Sequence, residues 1–308
     1  MSVRIERREF IKAVAAATAE LATLIALPDS GPLVAPRMTV VLSADRDTVR
    51  TAARAQGVMM GVEEAARSAV MFGGGVELER LTTGADVAAA ARRAIARGAV
   101  VVVGGEAADE CTQLAAACAH ADALYVNVLC SADELRGAAC DRHMFHVAPS
   151  DAMIASARGQ LPATNAQAES RVSAWDSSLQ AFGADTLNQR FRARFGVPMT
   201  GDSWAGWFAV KCLSEAVLRT GARGTPALIQ YLESERSGSD GHKGRLLTFR
   251  AWDHQLRQPL YVMESGSAQR AIEVPTIARD AGSSRSSREI LDMLGKNSSS
   301  TSCRFMRE

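Results

Sequence analysis

Residues 99–121 read AVVVVGGEAADECTQLAAACAHA, and this stretch decides the fold class. Its first five residues are apolar and mostly β-branched, which is typical of a strand in a parallel sheet covered on both faces. Two glycines and a glutamate then lead directly into an alanine-rich helix. A buried strand followed at once by a helix is one unit of a doubly wound α/β domain.

The same rhythm continues on both sides of this unit. Upstream, strand-like runs at 38–43 and 76–81 are each followed by a stretch with helical periodicity. Downstream, the apolar residues at 123–129 and 145–148 predict two more strands. We therefore expect residues 37–160 to form an α/β lobe around a doubly wound parallel sheet.

The composition excludes several classes of protein. The chain has 308 residues, 47% of them hydrophobic and 22% charged, as in soluble globular proteins. It carries 35 Lys and Arg against 34 Asp and Glu, a net charge of +1. A wholly disordered chain and a small disulfide scaffold are excluded, and no overall field attracts nucleic acid, so we expect no nucleic-acid partner.

The first residues predict an export signal. Residues 7–12, RREFIK, follow the twin-arginine export pattern, and residues 13–27 form an apolar stretch of signal-peptide length. We interpret residues 1–36 as a twin-arginine signal or, if it stays uncleaved, as a membrane tether. Both interpretations predict a periplasmic protein, and the alternative is a cytoplasmic amphipathic helix that happens to contain two arginines.

Six cysteines can be sorted by their spacing. Cys111 and Cys118 lie seven residues apart on a predicted helix, so their Cα atoms are about 10 Å apart, beyond the reach of a disulfide. Cys130 and Cys140 flank a loop after a predicted strand. They are the disulfide candidate that the spacing favours.

Motifs for metal binding and catalysis are weak. Cys140, His143 and His146 have metal-binding side chains, but they lack the four-ligand spacing of a structural zinc site. Strand alternation would also point the two histidines to opposite faces. The chain has no G-x-S-x-G elbow, no phosphate-binding P-loop and no H-E-x-x-H motif. We expect no metal, no cofactor and no catalytic residues, and a small hydrolase or an enzyme using the Cys140 thiol is a less favoured alternative.

Ligands of doubly wound domains bind at the carboxyl ends of the strands, where backbone amides and hydroxyls are free to bind them. Polar and small residues at these positions are candidates for binding a small polar solute: Ser43, Asp45, Gly104, Gly105, Glu106 and Ser131. For Gly104 and Gly105 a second interpretation stays open, because two glycines can simply make a tight turn between strand and helix.

After about residue 160 the strand-and-helix rhythm fails. Residues 161–265 predict mainly helices and two short strand-like pieces. Residues 266–308 include serine-rich runs at 283–287 and 297–302, which hold few apolar residues. We expect this tail to be disordered.

Several runs carry a resemblance to a known family. These are HVAPSDAM at 146–153, which follows Leu135-Arg136 and Cys140; FGA at 182–184 with Leu187, Asn188, Arg190 and Phe191; WAGW at 204–207; and LTFRAWDHQLRQP at 247–259. Residues 38–265 resemble type I periplasmic solute-binding proteins, the superfamily of the branched-chain amino-acid receptors of ABC importers. The run at 247–259 is similar to the branch associated with pyrroloquinoline quinone-dependent alcohol dehydrogenase systems.

The resemblance implies a non-catalytic protein with two lobes and a solute held between them. Its partners would be an ABC importer membrane subunit or a pyrroloquinoline quinone-dependent dehydrogenase. This chain departs from the pattern because only some 25 residues separate Pro149 from Trp175, where the second lobe should begin. We therefore expect a reduced, mainly helical second lobe. A degenerate lobe that acts as a docking factor without binding solute is the alternative.

The unusual run at 247–259 also supplies a candidate surface for a partner protein. Arg and Trp are typical anchors of protein interfaces, so the candidates are Arg250, Trp252, Asp253 and Arg257. A structural role is equally compatible with the sequence. In that interpretation Trp252 packs against a helix, and Arg250 forms a local ion pair with Asp253.

Overall fold

A computed structural model describes residues 37–43, 48–81, 86–160, 171–221, 224–263, 271–275, 286–303 and 305. The signal or tether predicted at 1–36 lies outside the described residues, and so does Asp45. Among the helices in the described part of the chain, none is both long and apolar enough to cross a membrane.

The first half folds around a five-stranded sheet in the order β2-β1-β3-β4-β5, with every neighbouring pair parallel. Its strands are β1 (Arg37–Ser43), β2 (Gly75–Leu81), β3 (Ala99–Gly104), β4 (Leu124–Asn127) and β5 (Met144–His146). The helices between and after them are α1 (Val49–Val70), α2 (Val87–Ala96), α3 (Ala108–His120) and α4 (Asp151–Gly159). The chain runs outward in one direction from β1 and in the other from β3, so the topological switch point lies between these two strands.

The valine run in β3 is explained by two apolar layers. Val101 and Val103 pack into the core on one face of the sheet, and Val102 packs into the core on the other. All three side chains are fully buried. A strand covered on both faces needs apolar residues at every position, which is the pattern that the sequence shows.

The second half contributes helices and two small sheets. Its helices are α5 (Ala184–Phe195), α6 (Gly201–Thr220), α7 (Thr225–Glu233) and α8 (Ser287–Asp292). Its strands are β6 (Arg171–Ser173), β7 (Ser239–Asp240), β8 (Leu246–Phe249), β9 (Leu256–Arg257), β10 (Leu260–Met263) and β11 (Ala271–Val274). They form the antiparallel sheets β11-β10-β6 and β7-β8-β9. The described strands of this half therefore include no parallel sheet of a second α/β lobe.

The two halves meet where α6 packs along α1. An ideal Cβ placed on Gly57 of α1 would lie 1.9 Å from the backbone oxygen of Ser203 in α6. A Cβ on Gly206 of α6 would lie 2.6 Å from the backbone oxygen of Arg54 in α1. The helices thus touch through their backbones, and only glycine fits at these two crossing positions.

Replacing Gly57 by alanine should strongly destabilise the protein. The new methyl group would collide with backbone, which cannot move aside without separating the helices, so we expect Gly57→Ala to lower the free energy of unfolding by about 3 kcal/mol or more. Gly159→Ala is the matched control, because a Cβ at this helical position meets nothing within 4 Å. Urea denaturation of both variants measures the difference, and equal stabilities would contradict the close packing of α1 and α6.

The disulfide predicted between Cys130 and Cys140 is wrong. Cys140 is bonded to Cys303, with the Cα atoms 5.8 Å apart, and Cys130 is a free, buried thiol. Cys130 is held inward because the Asn127 side chain accepts its backbone N–H and donates to its carbonyl oxygen. The loop therefore cannot bring Cys130 to Cys140.

The disorder predicted for residues 266–308 is also wrong, because residues 271–274 form strand β11 and residues 286–303 are ordered as well. This segment contains α8, and the side chains of Leu291 and Leu294 are buried. The Cys140–Cys303 disulfide attaches its end to the first half of the chain. The serine-rich composition led to the wrong prediction because it does not show that Leu291 and Leu294 are buried or that a disulfide holds the segment.

Peptide mapping should recover Cys140 and Cys303 in one linked peptide pair before reduction. The other described cysteines, Cys111, Cys118, Cys130 and Cys212, should all be alkylated in the denatured, unreduced protein. The disulfide closes a loop with a sequence separation of 163, so we expect Cys303→Ser to cost about 3 kcal/mol of stability. Cys118→Ala, which removes a buried thiol and no disulfide, should cost less, and a linked Cys130–Cys140 peptide would refute the assignment.

Candidate functional site

A cavity of about 230 Å³ lies at the carboxyl ends of the strands. Its walls come from the loops after β4 and β5, from β6, and from the first turns of α1 and α6. The apolar part of its lining includes Val128, Leu129, Ile154 and Val172, and the polar part includes Arg50, Ser131, Ser173 and Asp202. Of the residues predicted from the sequence, Ser131 lines this cavity. Mixed apolar walls with a few polar groups are typical of small-molecule sites.

An ion pair between Arg50 and Asp202 forms one wall of the cavity. The Nε atom of Arg50 donates to Asp202 Oδ2 at 3.0 Å, and its Nη2 atom donates to Asp202 Oδ1 at 3.2 Å. Nη2 also donates to the carbonyl oxygen of Leu129 at 3.1 Å. The hydrogen bond with Asp202 raises the pKa of Arg50, so the guanidinium is charged throughout the physiological range. Half of the Arg50 side chain is still exposed and can meet an anionic group.

Sequence reasoning missed both members of this pair. Each lies in the first turn of a helix whose N-terminus is capped by a threonine, Thr48 for α1 and Thr200 for α6. The caps are visible in the sequence as threonine before a helical stretch. The sequence does not show the contact between Arg50 and Asp202, because the two residues are separated by 152 positions.

Two buried side chains fix the loops that line the cavity. The amide of Asn127 bonds the backbone of Leu129 and Cys130 at 2.8–3.2 Å. Arg136 donates to the carbonyl oxygens of Cys130, Ala132 and Ala148 and to the side chain of Gln255, at 2.7–3.1 Å. Burial lowers the pKa of Arg136 to about 10, so it stays charged at neutral pH. One guanidinium therefore ties the loop after β4 to the loop after β5.

The predicted residues at the ends of β1 and β3 lie in a separate cluster around Glu110. The buried hydroxyl of Ser43 donates to Glu110 Oε1 at 3.1 Å, and the backbone N–H of Glu106 donates to Glu110 Oε2 at 2.9 Å. A Cβ on Gly105 would lie 2.4 Å from the hydroxyl oxygen of Tyr125, and its φ is +77°. The neighbouring Gly104 packs against Ser43 in the same way. The tight-turn interpretation thus accounts for both glycines, and solute contact by this cluster stays a prediction.

No protein-family model matches the chain, and no curated protein matches it. Solved structures do. A periplasmic binding protein from Burkholderia mallei has a TM-score of 0.68 at 13% identity, over 88% of this chain and 99% of that one. A leucine-, isoleucine-, valine-, threonine- and alanine-binding protein from Brucella ovis has a TM-score of 0.63 at 12% identity, over 77% and 94%. An ABC-type branched-chain amino acid transporter from Rhodopseudomonas palustris has a TM-score of 0.64 at 13% identity, over 77% and 95%.

The chain has the fold of type I periplasmic binding proteins. The predicted α/β fold class is therefore confirmed. At these identities the likeness shows the fold and not the solute. The branch associated with pyrroloquinoline quinone-dependent dehydrogenases is not among the similarities that these structures show.

The partner surface predicted from the 247–259 run is wrong for two of its four residues. Arg250 and Asp253 are only 1% and 2% exposed and lie 3.7 Å apart as an ion pair. Arg250 also donates to Asp292 at 3.0 Å and to the carbonyl oxygens of Leu291 and Leu294. The ordered tail covers this arginine, which the sequence could not show.

The other two residues of that surface are partly exposed. Arg257 donates to Asp292 Oδ1 at 2.8 Å, so it too binds the tail segment. The Trp252 ring lies 5.5 Å from the guanidinium of Arg250 and 5.2 Å from that of Arg257. A role of Trp252 and Arg257 in partner binding stays a prediction.

The buried side chain of His254 attaches the 252–255 loop to β5 and α7. The two ring nitrogens of His254 face the carbonyl oxygen of Met144 at 3.2 Å and Glu233 Oε1 at 3.0 Å. Arg142 donates twice to the same Glu233 carboxylate, at 2.9 and 3.0 Å. Burial raises the pKa of Glu233, but the hydrogen bonds from His254 and Arg142 outweigh burial and lower the pKa to about 2.

Acid should therefore weaken the protein through Glu233. A carboxylate with a lowered folded-state pKa stabilises the fold above its ordinary pKa of 4.5 and loses this contribution as the pH falls toward 2. We expect Glu233→Gln to reduce the free energy of unfolding by about 2 kcal/mol at pH 6, with the gap to the unmodified protein closing between pH 4.5 and 2. Denaturation over this pH range measures the gap. Glu235→Gln, at a side chain that is 88% exposed, is the control and should show little change, and a gap that is constant with pH would contradict the role of Glu233.

Proposed function

We propose that this chain is a non-catalytic binding protein that holds a small polar solute in the cavity at the strand ends. The cavity itself is the observation that carries the proposal. It combines an arginine with half of its side chain exposed, two serine hydroxyls and an apolar wall, and it lies at the edge where doubly wound sheets bind ligands. The solved structures with the same fold are described as binding proteins for amino acids and as ABC transporter substrate-binding proteins, which supports the same role.

The described strands of the second half form no parallel sheet, and this bears directly on the proposal. A binding protein with two lobes closes the second over the solute, and loss of that wall would leave the solute exposed. Here Val172 and Ser173 of β6, with Asp202 of α6, line the cavity together with the loops after β4 and β5. These segments supply a partial second wall, so a site remains without a full second lobe.

The geometry favours a small solute with an acidic group. At about 230 Å³ the cavity is below the roughly 300 Å³ at which pockets for drug-sized ligands begin. The Arg50 guanidinium can pair with a carboxylate, and Ser131 and Ser173 can bond polar groups beside it. Val128 and Leu129 would cover a short carbon chain. We therefore favour short carboxylic acids and related small polar molecules.

The cellular system is proposed from the sequence. The RREFIK run supports export to the periplasm, and the LTFRAWDHQLRQP run supports a place in a pyrroloquinoline quinone-dependent alcohol oxidation system. The descriptions of the similar structures support an ABC importer membrane subunit as the partner. The alternative is a protein-docking accessory factor without solute binding, which the reduced second half favours.

A thermal-shift and calorimetric screen tests solute binding. The probes are short alcohols with their aldehydes and acids, branched-chain amino acids, and pyrroloquinoline quinone. A solute at a hundred times its Kd stabilises the folded state by about 2.7 kcal/mol, which raises the Tm by several degrees. We expect Arg50→Met to weaken binding of an acidic solute by about tenfold or more.

Arg190→Met is the matched control for this screen. Arg190 has a similar exposure, 46% of its side chain, but pairs with Glu64 on the flank of α1 and not with the cavity. A flat screen on a cooperatively folding protein would overturn the solute-binding proposal in favour of the docking factor. Binding that both arginine variants leave unchanged would place the solute elsewhere.

A further inference from the structure

Two of the four free cysteines lie against each other at the carboxyl edge of the large sheet. Cys111 lies in the first turn of α3, and Cys130 lies three residues after the end of β4. β3, which leads into α3, is the parallel neighbour of β4, so the two residues reach the same edge. Both side chains belong to one buried apolar cluster, and the two thiols are hydrogen-bonded to each other. Neither the solute cavity nor the Cys140–Cys303 disulfide uses this pair of thiols.

The surroundings of Cys130 favour its thiolate form. The Cys111 thiol donates a hydrogen bond to it, and the backbone N–H of Ala132 donates another. The guanidinium of Arg136 lies beside it, since Nη1 of Arg136 donates to the Cys130 carbonyl oxygen at 3.1 Å. These groups outweigh burial and the Asp151 carboxylate, and they lower the pKa of the Cys130 thiol to about 6. Cys130 is therefore mostly a thiolate at neutral pH, the form of cysteine that acts as a nucleophile.

Cys111 is placed to be the second thiol of the pair. The hydrogen bond to Cys130 and burial raise the pKa of Cys111, so its thiol keeps the proton. Gly105 leaves room for this sulfur, because an ideal Cβ at Gly105 would lie 2.6 Å from the Cys111 Sγ atom. A thiolate that reacts with an oxidant often has such a neighbouring thiol, which then resolves the oxidised sulfur into a disulfide.

The other two free cysteines have different surroundings. Burial raises the pKa of the Cys118 and Cys212 thiols, and the carboxylates of Asp141 and Glu215 add to this effect. Both cysteines therefore stay protonated at neutral pH, and buried thiols of this kind react slowly. The chain thus contains its own controls for the reactivity of Cys130.

We infer that Cys130 and Cys111 form a thiol pair that reacts with hydrogen peroxide and closes to a disulfide. The Cys130 thiolate attacks one peroxide oxygen, the O–O bond breaks, and the other oxygen leaves and takes up a proton to become water. Cys130 is then a sulfenic acid. The Cys111 thiol attacks this sulfur, the S–O bond breaks, and the hydroxide leaves with the Cys111 proton as a second water. One peroxide is reduced by the two electrons that the sulfur atoms lose.

The new disulfide would connect two segments of the carboxyl edge. It would attach α3 to the loop after β4, and Leu129 and Ser131 of this loop line the candidate cavity. Hydrogen peroxide is small enough for a cysteine that is only 6% exposed. The inference does not depend on solute binding, because the two thiols and the peroxide supply all of the chemistry.

A peroxide titration of the folded full-length protein tests the inference, starting from protein in which all four free cysteines can be alkylated. Differential alkylation and mass spectrometry follow each cysteine. One equivalent of hydrogen peroxide should remove two of the four thiols and give a linked Cys111–Cys130 peptide pair, with the Cys140–Cys303 disulfide unchanged. We expect Cys130 to react about tenfold faster or more than Cys118 and Cys212 at pH 7.

Cys111→Ser and Cys118→Ser are the matched variants. A serine at position 111 can still donate a hydrogen bond to Cys130 but cannot form a disulfide. We therefore expect dimedone to trap a sulfenic acid at Cys130 in Cys111→Ser, with no linked peptide at this position. Cys118→Ser removes a buried thiol outside the pair and should give the same linked peptide as the unmodified protein.

Three results in the unmodified protein would overturn the inference. The first is equal oxidation rates of Cys130, Cys118 and Cys212. The second is a Cys130 disulfide between two copies of the chain, which would show that Cys111 is not the resolving thiol. The third is sulfinic acid at Cys130 without a linked peptide, which would show that Cys111 cannot reach the oxidised sulfur.

Discussion

The backbone contact between α1 and α6 is the constraint on which the rest of the structure depends. Gly57 and Gly206 let two long helices approach more closely than any side chain would permit. The second half has two small antiparallel sheets, which could not form a stable core alone. Because α6 is packed on α1, its first turn brings Asp202 to Arg50, and the same contact that joins the halves also builds a wall of the cavity.

The sequence predicts the first half well because its signals are local. Each buried strand shows as an apolar run, and the strands at β1 and β3 begin and end within a residue or two of their predicted bounds. What the sequence does not show are contacts between distant residues. The Arg50–Asp202 pair and the Cys140–Cys303 disulfide each join positions more than 150 residues apart. The sequence around one residue of each pair does not indicate which distant residue it contacts.

Two of the wrong predictions, the disordered tail and the exposed surface at 247–259, share one physical cause. Taken alone, the serine-rich composition predicts a tail too polar to fold, and the arginines of the 247–259 run predict an exposed surface. In the structure, Arg250 satisfies the backbone carbonyls at the end of α8, and the tail shields Arg250 from water. A buried guanidinium must be hydrogen-bonded, and the carbonyl oxygens of a polar segment can supply these bonds and become ordered by them. Composition alone does not show such hydrogen bonds.

Helix α1 also sets a distance. Its 22 residues span about 33 Å, with Arg50 at the cavity in its first turn and the exposed Val70 in its last. Electrostatic influence from a charged surface decays over about 8 Å at physiological ionic strength. A charged surface that contacts the Val70 end of α1 is thus several screening lengths from the cavity, so the affinity for a charged solute does not depend on the charge of that surface.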